Sequence, residues 1–136
     1  MSADSAPGYG CAFWLREEVH HRPHLHFIIS YPEDKDGWVL VVGVTSNDQW
    51  RAAEFVLHAG DHPGIRSACV LSFASLKLVN VERLARGYRE MPKLLWAERK
   101  AHPGLIDRIQ RALLESKRLE ARFAELVAKA RERTED

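Results

Sequence analysis

The apolar positions of this chain fall into two regimes, short runs in the first two thirds and a long stripe at 3–4 spacing at the end. Gly10–Leu15 and His24–Ser30 read as short strands, and in the second, alternation puts His24 and His26 on one face and Leu25 and Phe27 on the other. Trp38–Val44 is the clearest strand: it is rich in β-branched residues, and its unbroken apolarity predicts cover on both faces. Turn-type residues at 32–37, 45–48 and 60–64 separate these runs. Residues 51–58 suit either a helix or a strand, and a strand at Glu54–His58 is preferred. Ser67–Ala74 is a further strand, continued by alternation through Val79, after which Asn80 can cap a short helix over Val81–Arg86 with Gly87 as its stop. Strands at this spacing predict a small barrel or sandwich, a mainly β fold of α+β class.

The end of the chain is different. Pro103 suits the first turn of a helix, and Leu105, Ile109, Ala112, Ser116, Leu119, Phe123, Leu126 and Ala130 form one stripe, predicting a single long helix over about 103–133. Such a helix would span roughly 40 Å. Its outer part, from Ser116, is therefore expected to pack on another chain or to project.

At 136 residues the chain is expected to be one domain, with an ordinary soluble composition of 46% hydrophobic and 29% charged residues. No run approaches the roughly 18 apolar residues of a membrane helix, and Met1–Gly8 lacks a signal pattern, so a cytoplasmic protein without membrane contact is expected. Cys11 and Cys69 stand alone and are expected as buried thiols. The net charge of +1 hides an asymmetry: residues 1–70 hold five Lys/Arg against nine Asp/Glu, whereas the remainder holds fifteen against ten. A broadly basic nucleic-acid platform is excluded, and any such contact must draw on Arg22, Lys77, Arg83, Arg86 and Arg89.

The densest chemistry lies at the mouth of the second strand, where Glu17, Glu18, His20, His21 and Arg22 precede Pro23, and His24 and His26 follow. A carboxylate and imidazoles beside a rigid strand are what proton transfer needs. His24, His26 and His20 or His21 could in principle form a three-nitrogen zinc site, but no second ligand spacing accompanies them. Hydrogen-bonded histidines are the preferred reading, and no metal or cofactor is expected. The fragment His24–Ile29 fails as a histidine triad because Ile28 stands at the third position. Glycine loops for phosphate and nucleophile elbows are lacking. Arg22 is held extended by Pro23, and Thr45 follows the strongest strand. Arg can fork onto two phosphate oxygens while a Thr hydroxyl donates to a third. An ion pair of Arg22 with Glu17 or Glu18 is the competing role.

Three blocks of sequence resemble the MazF/PemK family of bacterial toxin–antitoxin toxins. Its Gly-His-Glu-Gln…Arg-Pro…Val-Leu-Ser block resembles Leu15–Pro23 followed by Ile28-Ile29-Ser30, and its Pro-Val-Thr-Ser block resembles Gly43-Val44-Thr45-Ser46. Its Asp-Gln-Ile-Arg-Thr-Val-Asp block, then Arg-Leu, resembles Ala74–Asn80, then Arg83-Leu84. The resemblance covers roughly Pro7 to Leu119. It implies an SH3-like small β-barrel of the MazF/PemK/CcdB type with a C-terminal helix, usually a homodimer. It also implies metal-independent cleavage of single-stranded RNA by 2′-hydroxyl attack, with neutralisation by an antitoxin. Carried over, Arg22 becomes the charge stabiliser and Thr45 a phosphate-oxygen donor, with Glu17 or His21 as the base. His20, His24, Ser46, Asn47, Ser75 and Lys77 become RNA contacts. The chain departs from the family at Leu15, Arg16, Gly43, Ser75, Lys77 and Asn80, where Lys lacks the guanidinium fork and Asn cannot act as a base. A non-catalytic barrel module of the same fold, inhibiting growth or binding RNA or a protein such as a gyrase-type target, is the alternative reading.

Overall fold

The structure is a computed structural model that describes residues 8–16, 22–32, 37–46 and 55–135. Strands β1 (Ala12–Leu15), β2 (His24–Ile28), β3 (Trp38–Thr45), β4 (Val56–Leu57) and β5 (Cys69–Asn80) lead into helix α1 (Val81–Glu90). Strand β6 (Leu95–Glu98) and helices α2 (Pro103–Glu115) and α3 (Ala121–Glu135) follow. The described strands form one antiparallel, six-stranded sheet in the order β4-β5-β3-β2-β1-β6, open between the short β4 and β6. The expected α+β class is therefore what the chain adopts. Among the described residues no helix is long and apolar enough to cross a membrane.

Both faces of the sheet are covered, as the continuous apolarity of β3 requires. Leu25 and Phe27 of β2 and Leu40, Val42 and Val44 of β3 face α2 and α3, meeting Leu105, Ile109, Leu113, Phe123 and Val127 in one buried cluster. On the other face Phe13, Ile28, Val39 and Val41 meet Leu84 of α1 and Leu95 of β6. His26 belongs to that second face and is buried, its ring stacked on Phe13 at 5.2 Å.

Strand β5 runs without a break from Cys69 to Asn80 and carries a bulge. Register with β3 slips between Val41 and Gly43, and Ser75 fills the irregularity: its hydroxyl accepts from Gly43 N–H at 2.7 Å and donates to the Ser72 carbonyl at 2.7 Å. Gly43 is demanded by this packing, because a Cβ there would lie 2.8 Å from Ser75 Oγ and 2.9 Å from His26 Nε2. Gly43→Ala is expected to cost about 1–3 kcal/mol as an overpacking change. A urea midpoint indistinguishable from wild type would contradict the close approach.

The structure departs from the sequence reading at three points. Helix α1 begins as expected, with Asn80 Oδ1 accepting from Glu82 and Arg83 N–H, but it runs past Gly87 and ends at Met91. Gly87 is there for closeness instead: a Cβ would sit 3.1 Å from Leu95 Cδ1, so the glycine lets β6 lie against the helix. Strand β6 itself, with Leu95 opposite Leu15 and Trp96 opposite Trp14, has too short a pattern, Leu-Trp-Ala-Glu, to stand out in the sequence.

The third concerns the end of the chain, where the single helix over 103–133 is two helices. Ser116 caps α2 in extended conformation, and its hydroxyl accepts from Arg118 N–H at 3.1 Å, a local bond that competes with helix propagation. The break folds the second half of the stripe back onto the same core, so nothing from Ser116 onward needs to project. Phe123, Val127 and Ala130 are buried, and Arg131 reaches Asp107 of α2 at 2.7 Å. Tyr31, stacked on Tyr9 at 4.2 Å, meets the Thr134 hydroxyl at 3.1 Å.

Candidate functional site

Antiparallel order brings the end of β1, the start of β2, the end of β3 and the start of β5 to one end of the sheet. A cleft of about 190 Å³ opens there, with a floor of Trp14, Leu25, Val44, Ile65 and Cys69. Its polar lining is Arg22 and His24 from the β2 side, Thr45 and Ser46 from β3, and Arg66 and Ser67 from the connection into β5. Arg22 and Thr45, 23 positions apart in sequence, thus share one cleft. His24 Nδ1 lies 3.4 Å from the Val44 carbonyl, which can only accept, so Nδ1–H donates to it.

The charge of the cleft is lopsided. Its described lining holds two guanidiniums, one imidazole and three hydroxyls, and no carboxylate. Among the described residues neither Arg22 nor Arg66 makes an ion pair. A larger surface hollow of about 490 Å³ between Phe55 and α2 differs in this respect. Its Arg108 is paired with Asp61 at 3.2 Å and its Arg111 with Asp107 at 3.8 Å, so its positive charge is compensated. A pair of guanidiniums over hydroxyl donors, with no described carboxylate against it, suits an anion, most naturally phosphate.

The wall carrying Arg66 is fixed from beneath. His62 is 2% exposed; its Nδ1 accepts from Gly64 N–H at 3.0 Å, so Nε2 carries the proton and donates to the Arg99 carbonyl at 2.6 Å. Asp61 accepts from His58 N–H at 2.8 Å and pairs with Arg108. Burial pushes the Asp61 carboxyl up, but His58 N–H and Arg108 together outweigh it and hold it below its ordinary value. Burial, with Asp61 adding to it, pushes the Cys69 thiol to about 11, so it stays protonated and is no nucleophile at neutral pH. Cys11 and Cys69 are both free thiols.

Behind the floor, Trp14 Nε1–H donates to Glu98 Oε2 at 3.0 Å, and Arg99 N–H donates to Oε1 at 2.8 Å. The indole first, then that backbone N–H, with the Arg99 charge adding to them, hold Glu98 below its ordinary value of 4.5 against a smaller upward push from burial. A depressed folded-state value means stability present above the unfolded value and lost as pH falls through the folded one. Glu98→Gln is expected to lose less stability than wild type on acidification below 4.5. Parallel urea titrations at neutral and acid pH would check this, equal losses counting against it.

Of the other residues singled out from sequence, Glu17, His20, His21 and Asn47 lie outside the described residues. Ser75 is committed to the β5 bulge, and Lys77 is exposed beyond it, opposite Val41; neither lines the cleft. Arg83, Arg86 and Arg89 are exposed on α1 and do not line it either. Arg66 and Ser67 were missed, because an Arg-Ser pair after a loop carries no motif and only the sheet order shows that it returns beside Thr45. Among the described residues no three His, Cys, Asp or Glu side chains gather as a metal would require. Comparison with protein-family models, with curated proteins and with solved structures found no match.

Proposed function

We propose that this chain is a metal-independent endoribonuclease of single strands, a diverged MazF/PemK-like toxin. The observation that carries this reading is the sharing of one cleft by Arg22, Thr45, His24 and Ser46, with no carboxylate among its described lining residues. On this reading the bent β5, paired with β3 on both sides of the bulge, makes the sheet an open form of the family's SH3-like small barrel.

In the reaction a 2′-hydroxyl attacks the adjacent phosphorus in line, the bond to the 5′-oxygen breaks, and a 2′,3′-cyclic phosphate remains. Arg22 neutralises the charge gathering on the non-bridging oxygens, and the Thr45 hydroxyl donates to one of them. Arginine holds its proton too tightly to shuttle it, so Glu17 or His21 takes the proton of the 2′-hydroxyl. The protonated base then returns that proton, through water, to the leaving 5′-oxygen, and His24 contacts the RNA. Ser46, with its chain neighbour Asn47 and with His20, contacts the RNA, and exposed bases are held by stacking, as single strands require. By the same resemblance the chain forms a homodimer and is silenced by an antitoxin laid across the cleft.

The deciding test incubates the full chain with long single-stranded RNA in excess EDTA and maps the new ends. Cyclic-phosphate termini, abolished by a 2′-deoxy substitution at the cut site, are expected. RNA left intact across many sequences by folded protein would overturn the nuclease. Binding without cutting would leave the alternative, a non-catalytic barrel module.

A further inference from the structure

The sheet order sets Arg22 and Arg66 on either side of the end of β3. Arg22 stands two residues before β2 and Arg66 three before β5, and β3 lies between those strands. The strands they lead into are therefore two strand spacings apart, roughly 10 Å. Thr45 and Ser46 occupy the middle of that span. Two permanent positive charges directed into one cleft repel each other, and no described carboxylate lies between them. Anions at two separate points along the span would relieve that repulsion.

The Arg66 arm is also pre-formed. Ile65 before it is 5% exposed and belongs to the main core, and Cys69 just after it is 6% exposed. His62 anchors the preceding turn through Gly64 N–H and the Arg99 carbonyl, and Asp61 ties it to α2 through Arg108. Little ordering of backbone remains to be done when a ligand arrives, which favours tight binding.

We infer that Arg66 and Ser67 form a second phosphate-binding arm, so that the cleft grips two successive phosphodiesters of a single strand, one at Arg22 and Thr45 and its neighbour at Arg66. The inference rests on reading the cleft as a single-strand site. It adds which residues hold the phosphate next to the cut, and it makes Arg66 a binding residue, not part of the bond-breaking machinery.

The test uses uncleavable 2′-O-methyl oligonucleotides and fluorescence anisotropy on the full chain, comparing a dinucleotide, with one phosphodiester, and a trinucleotide, with two. Wild type is expected to bind the trinucleotide about tenfold more tightly than the dinucleotide. Arg66→Ala is expected to lose that gain while binding the dinucleotide as wild type does. With a longer strand its log affinity should fall less steeply with log salt, by about 0.7, because one phosphate is no longer neutralised. Arg66→Lys should recover part of the gain, and Arg83→Ala, on the far helix, should change nothing. Because Arg66 is exposed, its replacement is expected to leave the thermal midpoint in place.

The inference is overturned if Arg66→Ala keeps the trinucleotide gain, or if wild type shows no gain or no binding. Cleavage is scored separately. A chain that binds through Arg66 and never cuts keeps the second arm and loses the nuclease; one that cuts with no dependence on Arg66 does the reverse.

Discussion

Arg22→Ala is expected to lower the single-turnover rate of RNA cleavage in EDTA by about 10²–10³-fold, the cost of removing one pre-placed stabiliser of transition-state charge. Arg22 is exposed at the lip of the cleft and outside the sheet ladder, so the variant should unfold at the wild-type temperature. Arg22→Lys should recover only part of the rate, since an ammonium keeps the charge but loses the two-pronged grip on phosphate oxygens. Affinity for an uncleavable strand should fall far less than the rate. Cleavage that continues undiminished in Arg22→Ala would remove the residue from the reaction and with it the proposed chemistry.

The second large effect concerns the end of the chain. Phe123→Ala is expected to destabilise the protein by about 3–5 kcal/mol, as loss of a buried aromatic does. For a chain of this size that is a fall in Tm of roughly 10–20 °C. The ring is 5% exposed and sits in the same cluster as Ile109 and Leu113 of α2 and Leu40 and Val42 of β3. A helix that merely projected would lose nothing measurable, so calorimetry on this one variant separates the two arrangements. A midpoint within a degree or two of wild type would mean that α3 is not part of the core.

The contrast between those two helices shows what could be read from the chain and what could not. The 3–4 stripe was legible in part: Leu105, Ile109, Phe123 and Ala130 are buried, Ala112, Ser116, Leu119 and Leu126 only half-buried, and Leu113 and Val127 complete the buried face. Its interruption was not, because Ser116 fits the stripe as a small residue while its hydroxyl serves a local turn. Strand β3 was plain because both its faces are apolar, whereas β6 is four residues whose partner lies some 80 positions earlier. A similar limit applied to the cleft. Arg22 and Thr45 stood out because a proline and a strand end flagged them. Arg66 had no local mark, and its place follows only from β5 pairing with the far side of β3. The bulge misled in the other direction: Ser75 looked available for RNA, yet its hydroxyl is spent on Gly43 and Ser72.

The cleft takes its gripping groups largely from connections, Arg22 and Pro23 before β2, Ser46 after β3 and Gly64–Ser67 before β5, and only its floor from the sheet. Doubling the length of such a connection costs only about 0.6 kcal/mol of closure entropy. On the proposed function, insertions there can change which RNA is recognised while the ladder of paired backbones stays as it is. Recognition and fold can therefore drift independently during evolution, and new sequence preferences can arise without a passage through unfolded intermediates.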